Sequence, residues 1–142
     1  MIGVSECSSS NRNPDGTWNN PIPMQWKFKY IMDGMAVQDE TLKSDGVHSG
    51  SIRQYNIDSA RWYVHYYTNA SANPTLSTWE GNLTAGKIIL TMPQPAPNGV
   101  EGYSRLTFYE MSPQAFTWIG EWVSKDESIV YPFWKIECTK VE

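Results

Sequence analysis

Few side chains in this chain could do chemistry unaided, since its 142 residues include only two histidines and two cysteines. A proton-transfer site would have to rest on carboxylates steadied by cations or a phenol. The candidates are Asp39 and Glu121 as general base, with Arg53, Arg105 or Tyr103 stabilising the negative charge that develops as the proton leaves. A set of this kind suits a lyase, isomerase or cyclase reaction. Desolvation in an aromatic interior raises a carboxyl pKa towards neutrality, a neighbouring guanidinium lowers it, and the two effects oppose each other. The plain alternative for each pair is a structural ion bridge. His48 and His65 fall on different strand candidates and no Cys/His spacing suits a metal centre, so no zinc, haem or other cofactor is expected. A Gly-rich phosphate loop, a nucleophile elbow and a dinucleotide fingerprint are also missing from the sequence.

Aromatic residues supply the second class of candidates. They make up 13% of the chain, with 7 Trp and 8 Tyr, and aromatic side chains favour strands and apolar pockets. Trp26, Phe28, Tyr30, Trp62 and Trp134 are the expected walls of a site for a small apolar or aromatic molecule, oriented by Asp39, Arg53 and Arg105. Core packing is the competing role of each aromatic. A third class is an interaction module that forms a homodimer through an outer aromatic face containing Trp118 and Trp122.

These residues are positioned first of all by the stretch from Trp26 to Leu42. Trp26, Phe28 and Tyr30 alternate with Lys27 and Lys29, and Asp33-Gly34 between two strand-like arms is the strongest short-range hairpin signal. A two-residue turn puts Tyr30 opposite Val37, Phe28 opposite Asp39 and Trp26 opposite Thr41, with Lys29 facing Gln38 and Lys27 facing Glu40. The apolar face thus carries one carboxylate, Asp39. The next hairpin, 50–57 with 61–68, pairs Arg53 with Val64 and Tyr55 with Trp62, one strand away from Asp39. A buried charge costs several kcal/mol unless paired, so an inward Asp39 requires a partner such as Arg53.

Strand patterns at 2–9, 24–43 (the central hairpin), 50–57, 61–68, 75–82, 87–92, 102–111, 115–124 and 129–139 recur at short spacing, with no helical period. They predict a single all-β domain over residues 1–142, a closed or nearly closed up-and-down antiparallel barrel of about ten strands. Closure removes exposed strand edges, and a barrel of that size leaves room for a ligand. A two-sheet sandwich is the main competing architecture. Around Ser112-Pro113-Gln114 the register pairs Arg105 with Glu121, Thr107 with Ile119 and Tyr109 with Thr117. A four-residue turn at 125–128 then places Trp134 and Ile136 on that same face, against Phe108, Trp118, Trp122 and Phe133 on the other. Both faces are apolar enough to be the inner one. The loop Pro93–Gly99 carries three prolines and is the candidate lid.

A net charge of −4 with scattered basic residues argues against nucleic acid, and no apolar run reaches the ~18 residues of a membrane span. The start of the chain has no signal-peptide pattern, which leads to the expectation of a cytoplasmic protein. In a reducing compartment Cys7 and Cys138, on the first and last strands, are expected as free thiols that become neighbours if the sheet closes.

The string from Trp26 to Glu40, together with Arg53-x-Tyr55, Trp62, Arg105 and Trp118-x-Gly120-Glu121, resembles a family of uncharacterised bacterial lipocalin-like (calycin-like) barrel proteins. The resemblance implies that barrel fold and no particular activity. The chain departs from the lipocalin pattern at Gly3-Val4-Ser5, where Gly-x-Trp would fall. The missing tryptophan predicts altered packing at the closed end and a wider cavity.

Overall fold

The computed structural model describes residues 1–141, and among them there is no helix, hence none long and apolar enough to cross a membrane. Ten strands follow in order: β1 (Gly3–Asn11), β2 (Ile22–Ile31), β3 (Ala36–Lys43), β4 (His48–Asn56), β5 (Arg61–Thr68), β6 (Ser77–Thr84), β7 (Lys87–Pro93), β8 (Gly102–Tyr109), β9 (Ala115–Ser124) and β10 (Val130–Lys140). Each pairs antiparallel with the next in sequence, and β1 pairs with β10 to close the barrel. The sandwich is thereby excluded, because no strand is left on an open edge.

Turn chemistry explains the register. Met35 N donates to Met32 O across Asp33 and Gly34, both at positive φ (55° and 85°), and the pairing from Tyr30–Val37 down to Trp26–Thr41 is the one expected from the sequence. Between β3 and β4 a three-residue loop, 44–46, ends on Gly46 at φ 85°. That loop places Ser51 opposite Asp39. Ala85 and Gly86, at φ 51° and 78°, make the tight turn between β6 and β7.

Alternation then separates inside from outside. Met24, Trp26 and Phe28 from β2, Phe108 from β8, Phe116 and Trp118 from β9, and Ile136 and Cys138 from β10 form one buried cluster. Val64, Trp79 and Leu90 form a second on the other side of the barrel. Strand β1 contributes only small side chains to the interior. Ser5 and Ser9 are fully buried, and the space is taken by aromatics: Trp26 lies opposite Ser5, and Trp134 Nε1 donates to Ser9 Oγ over 2.8 Å. The space beside the serines of β1 is therefore filled by rings from β2 and β10.

Two expectations are corrected. The four-residue turn does form, with Ser124 N donating to Ile129 O, but a β-bulge at Phe133 shifts the register between Pro132–Glu121 and Trp134–Gly120. One extra residue moves Trp134 and Ile136 to the face of Phe108 and Trp118, which is the inner one. The Phe133 ring reaches the interior side of Gly120, where a Cβ would stand 3.0 Å from it and 2.9 Å from Trp118. The cysteines are the other correction: Cys7 and Cys138 are joined in a disulfide. They sit directly opposite each other in the β1–β10 ladder with a Cα separation of 4.1 Å, the close pairing of an antiparallel sheet.

Candidate functional site

The interior polar site is built from three neighbouring strands. Asp39 (β3) points inward between Trp26 (β2) and Ser51 and Arg53 (β4), and is 3% exposed. Its Oδ2 accepts from Trp26 Nε1 at 2.7 Å and from Arg53 Nη2 at 3.2 Å, and its Oδ1 accepts a short hydrogen bond from Ser51 Oγ. The carboxylate is thus satisfied by three separate residues, which is what a charge this deep needs. Arg53 is held as firmly. Its guanidinium carbon lies 5.5 Å from the centre of the Phe28 ring and 5.3 Å from that of Phe108, within range of cation–π attraction.

Arg53 divides the interior into two chambers. Towards the loops at 44–47 and 69–76 lies a small one of about 50 Å³, lined by Asp39, Thr41, Ser49, Ser51, Tyr66, Trp79 and Trp134 among others. It holds the interior carboxylate and hydroxyls, among apolar side chains. Towards the turns at 32–35, 57–60 and 85–86 lies a larger one of about 320 Å³, bounded by Met1, Ile2, Phe28, Tyr30, Val37, Trp62, Val64, Leu83, Ile88 and Leu90. Among the described residues Arg53 is the single charged side chain on its wall. Its volume falls at the lower end of the range for small-molecule sites, about 300–1,000 Å³.

The residues expected from the sequence divide accordingly. Phe28, Tyr30 and Trp62 line the larger chamber, with Tyr30 at its rim and 63% exposed. Trp26 and Trp134 line the smaller one. Asp39 and Arg53 are brought together. Arg105, Glu121 and Tyr103 are not part of either chamber, because the β8–β9 register puts them on the outer face while Ser104, Leu106 and Phe108 point in. There Arg105 donates through Nε and Nη2 to Glu121 Oε1, the expected cross-strand ion pair, some distance in chain and face from the interior carboxylate. The outer aromatic face is also corrected. Trp118 is buried in the core, T-shaped against Trp134 at 5.0 Å. Trp122 lies over Gly102, where a side chain would collide with it, and donates to Gln94 O. The loop at 93–99 is consequently at the opposite end of the barrel from the mouth of the larger chamber, and does not cover it.

Sequence reading missed Ser51 and the aliphatic wall of Val37, Val64, Leu83, Ile88 and Leu90. Ser51 was within reach through the three-residue count that Gly46 permits. The aliphatics carry no signal that distinguishes a cavity wall from an ordinary strand. Among the described residues no group of histidine, cysteine and carboxylate side chains could hold a metal ion. No family model matches the chain, and no curated protein is significantly similar to it.

Proposed function

We propose that the barrel binds a small apolar or aromatic molecule in the chamber at the end of the β2–β3 turn. The observation that carries this reading is a chamber of about 320 Å³ whose wall, among the described residues, is made of aromatic and aliphatic side chains apart from Arg53 at its floor. Assignment to the lipocalin-like family suggested by the sequence agrees with it, as the ten-stranded closed barrel is compatible with that fold. The catalytic alternative with Asp39 as general base is the weaker one, because a carboxylate already accepting from Trp26, Ser51 and Arg53 is poorly placed to take a further proton from a substrate. The Cys7–Cys138 bond favours an oxidising compartment over the cytoplasm.

The test is titration with N-phenyl-naphthylamine, a neutral dye that brightens in apolar surroundings. Saturable binding is expected, and it should be lost in Ile88→Trp, which fills the chamber, while the melting temperature of that variant stays close to that of the parent. Dye fluorescence that rises without saturation, or that ignores Ile88→Trp, removes the chamber as a binding site.

A further inference from the structure

Arginine carries five N–H donors in a fixed fork, and a buried donor left without a partner is costly because it has given up its hydration. Among the described residues Arg53 makes one protein hydrogen bond, from Nη2 to Asp39. Its Nε is buried and has no partner at all. Nε is enclosed by protein, with the ring faces of Phe28 and Phe108 rather than acceptors beside the guanidinium, while the Arg53 side chain otherwise borders both chambers.

The two chambers differ in what they could supply. The smaller already holds Asp39 and the hydroxyls of Thr41, Ser49 and Ser51. Among the described residues the wall of the larger one holds no carboxylate, and Arg53 is its one charged side chain, set among aromatic and aliphatic ones. Asp39 balances the charge of Arg53 but engages it through Nη2 alone, its other acceptor positions being taken by Trp26 and Ser51. A molecule that entered apolar end first would leave Arg53 without an acceptor from the chamber; entering polar end first, it meets Arg53 and leaves its apolar body against Trp62, Ile88 and Leu90.

Resting on the chamber reading above, we propose that the ligand is a compact monocarboxylate with an apolar body, bound head first, its carboxylate accepting from Arg53. Asp39 is then a positioning residue: it fixes the guanidinium and does not touch the ligand. A carboxylate accepting from an arginine forms charge-assisted hydrogen bonds, stronger than those a neutral acceptor makes at the same place. The body could be an alkyl chain or an aromatic ring, since both fit the same wall.

The experiment compares acids with their neutral counterparts by displacement of N-phenyl-naphthylamine from the unmodified protein. Decanoate is set against decanol, and naphthoate against naphthalenemethanol. The acid of at least one pair should displace the dye at a concentration about tenfold or more below that of its alcohol, equivalent to about 1.4 kcal/mol. Which pair shows the preference identifies the body as chain or ring. In the double variant Asp39→Asn/Arg53→Met, which removes both charges together, the two concentrations should converge. Equal displacement by acid and alcohol in both pairs of the unmodified protein overturns the proposal and leaves the chamber reading standing. Failure of the dye itself to bind sinks the chamber reading, and the proposal with it.

Discussion

Two arginine–carboxylate pairs in this barrel have the same separation and opposite surroundings. Arg53–Asp39 and Arg105–Glu121 are each 3.2 Å apart across neighbouring strands. The first faces the interior, with Arg53 14% and Asp39 4% exposed; the second lies on the outer face, with Arg105 25% and Glu121 14% exposed and Glu127 standing by as a second partner. Water can replace either member of the outer pair. Inside, each member depends on named neighbours, Trp26 and Ser51 for the carboxylate and two phenylalanine rings for the cation. Distance between the charges therefore says little about what a pair contributes; the alternative available to each partner decides it.

Asp39→Ala should be the most damaging change, costing about 3–5 kcal/mol in denaturant-unfolding stability, because Arg53 is left as an uncompensated buried charge. A loss under about 1 kcal/mol would mean that the interior pair behaves like a surface one. Removing both charges in Asp39→Asn/Arg53→Met should cost less than Asp39→Ala alone, since no ion is left stranded, although Trp26 and Ser51 then face an amide. Simple additivity of the single changes would break that account. Glu121→Gln should cost only about 0–1 kcal/mol, and the difference from the parent should shrink further in high salt.

The smallest effect belongs to an exposed carboxylate, Asp126 in the β9–β10 turn. Hydrogen bonds from the Ser128 hydroxyl and backbone N–H, and from Ser124, hold its pKa down from 3.8 to about 2. Its folded pKa lies below its unfolded one, so its contribution is present above pH 3.8 and is lost as the pH falls towards 2. Asp126→Asn should accordingly lower the melting temperature slightly at pH 5, with a clearly smaller effect at pH 2 that vanishes as the pH falls further. An equal effect at both would show that the turn does not depend on the ionised form.

How much of this was legible beforehand follows from how each pairing is specified. The Asp39–Arg53 juxtaposition could be counted from Asp33-Gly34 and from the turn at 57–60, because short turns fix register and period-2 alternation fixes the face. The interior side of β8 and β9 could not be read in the same way. Tyr103, Arg105, Thr107 and Tyr109 alternate with Ser104, Leu106 and Phe108, and neither set is polar enough to be assigned to solvent by composition. The bulge at Phe133 was equally silent, since one inserted residue leaves no mark in residue type, yet it decides where Trp134 points. The disulfide could be anticipated as a meeting of strands but not as a bond, which depends on the redox state of the surroundings as well as on geometry.

The seam between β1 and β10 also governs the order in which the molecule can assemble. Nine of the ten strand pairings join consecutive strands and can begin as local hairpins, whereas the Cys7–Cys138 pairing bridges 131 residues. Loop-closure entropy and contact order both make that pairing the slowest to find. Until it forms, the chain is a curled ribbon with two free edges, able to accept a strand from a neighbouring molecule. Closing the seam completes the cavity and, in the same step, withdraws the last surface through which two chains could zip together.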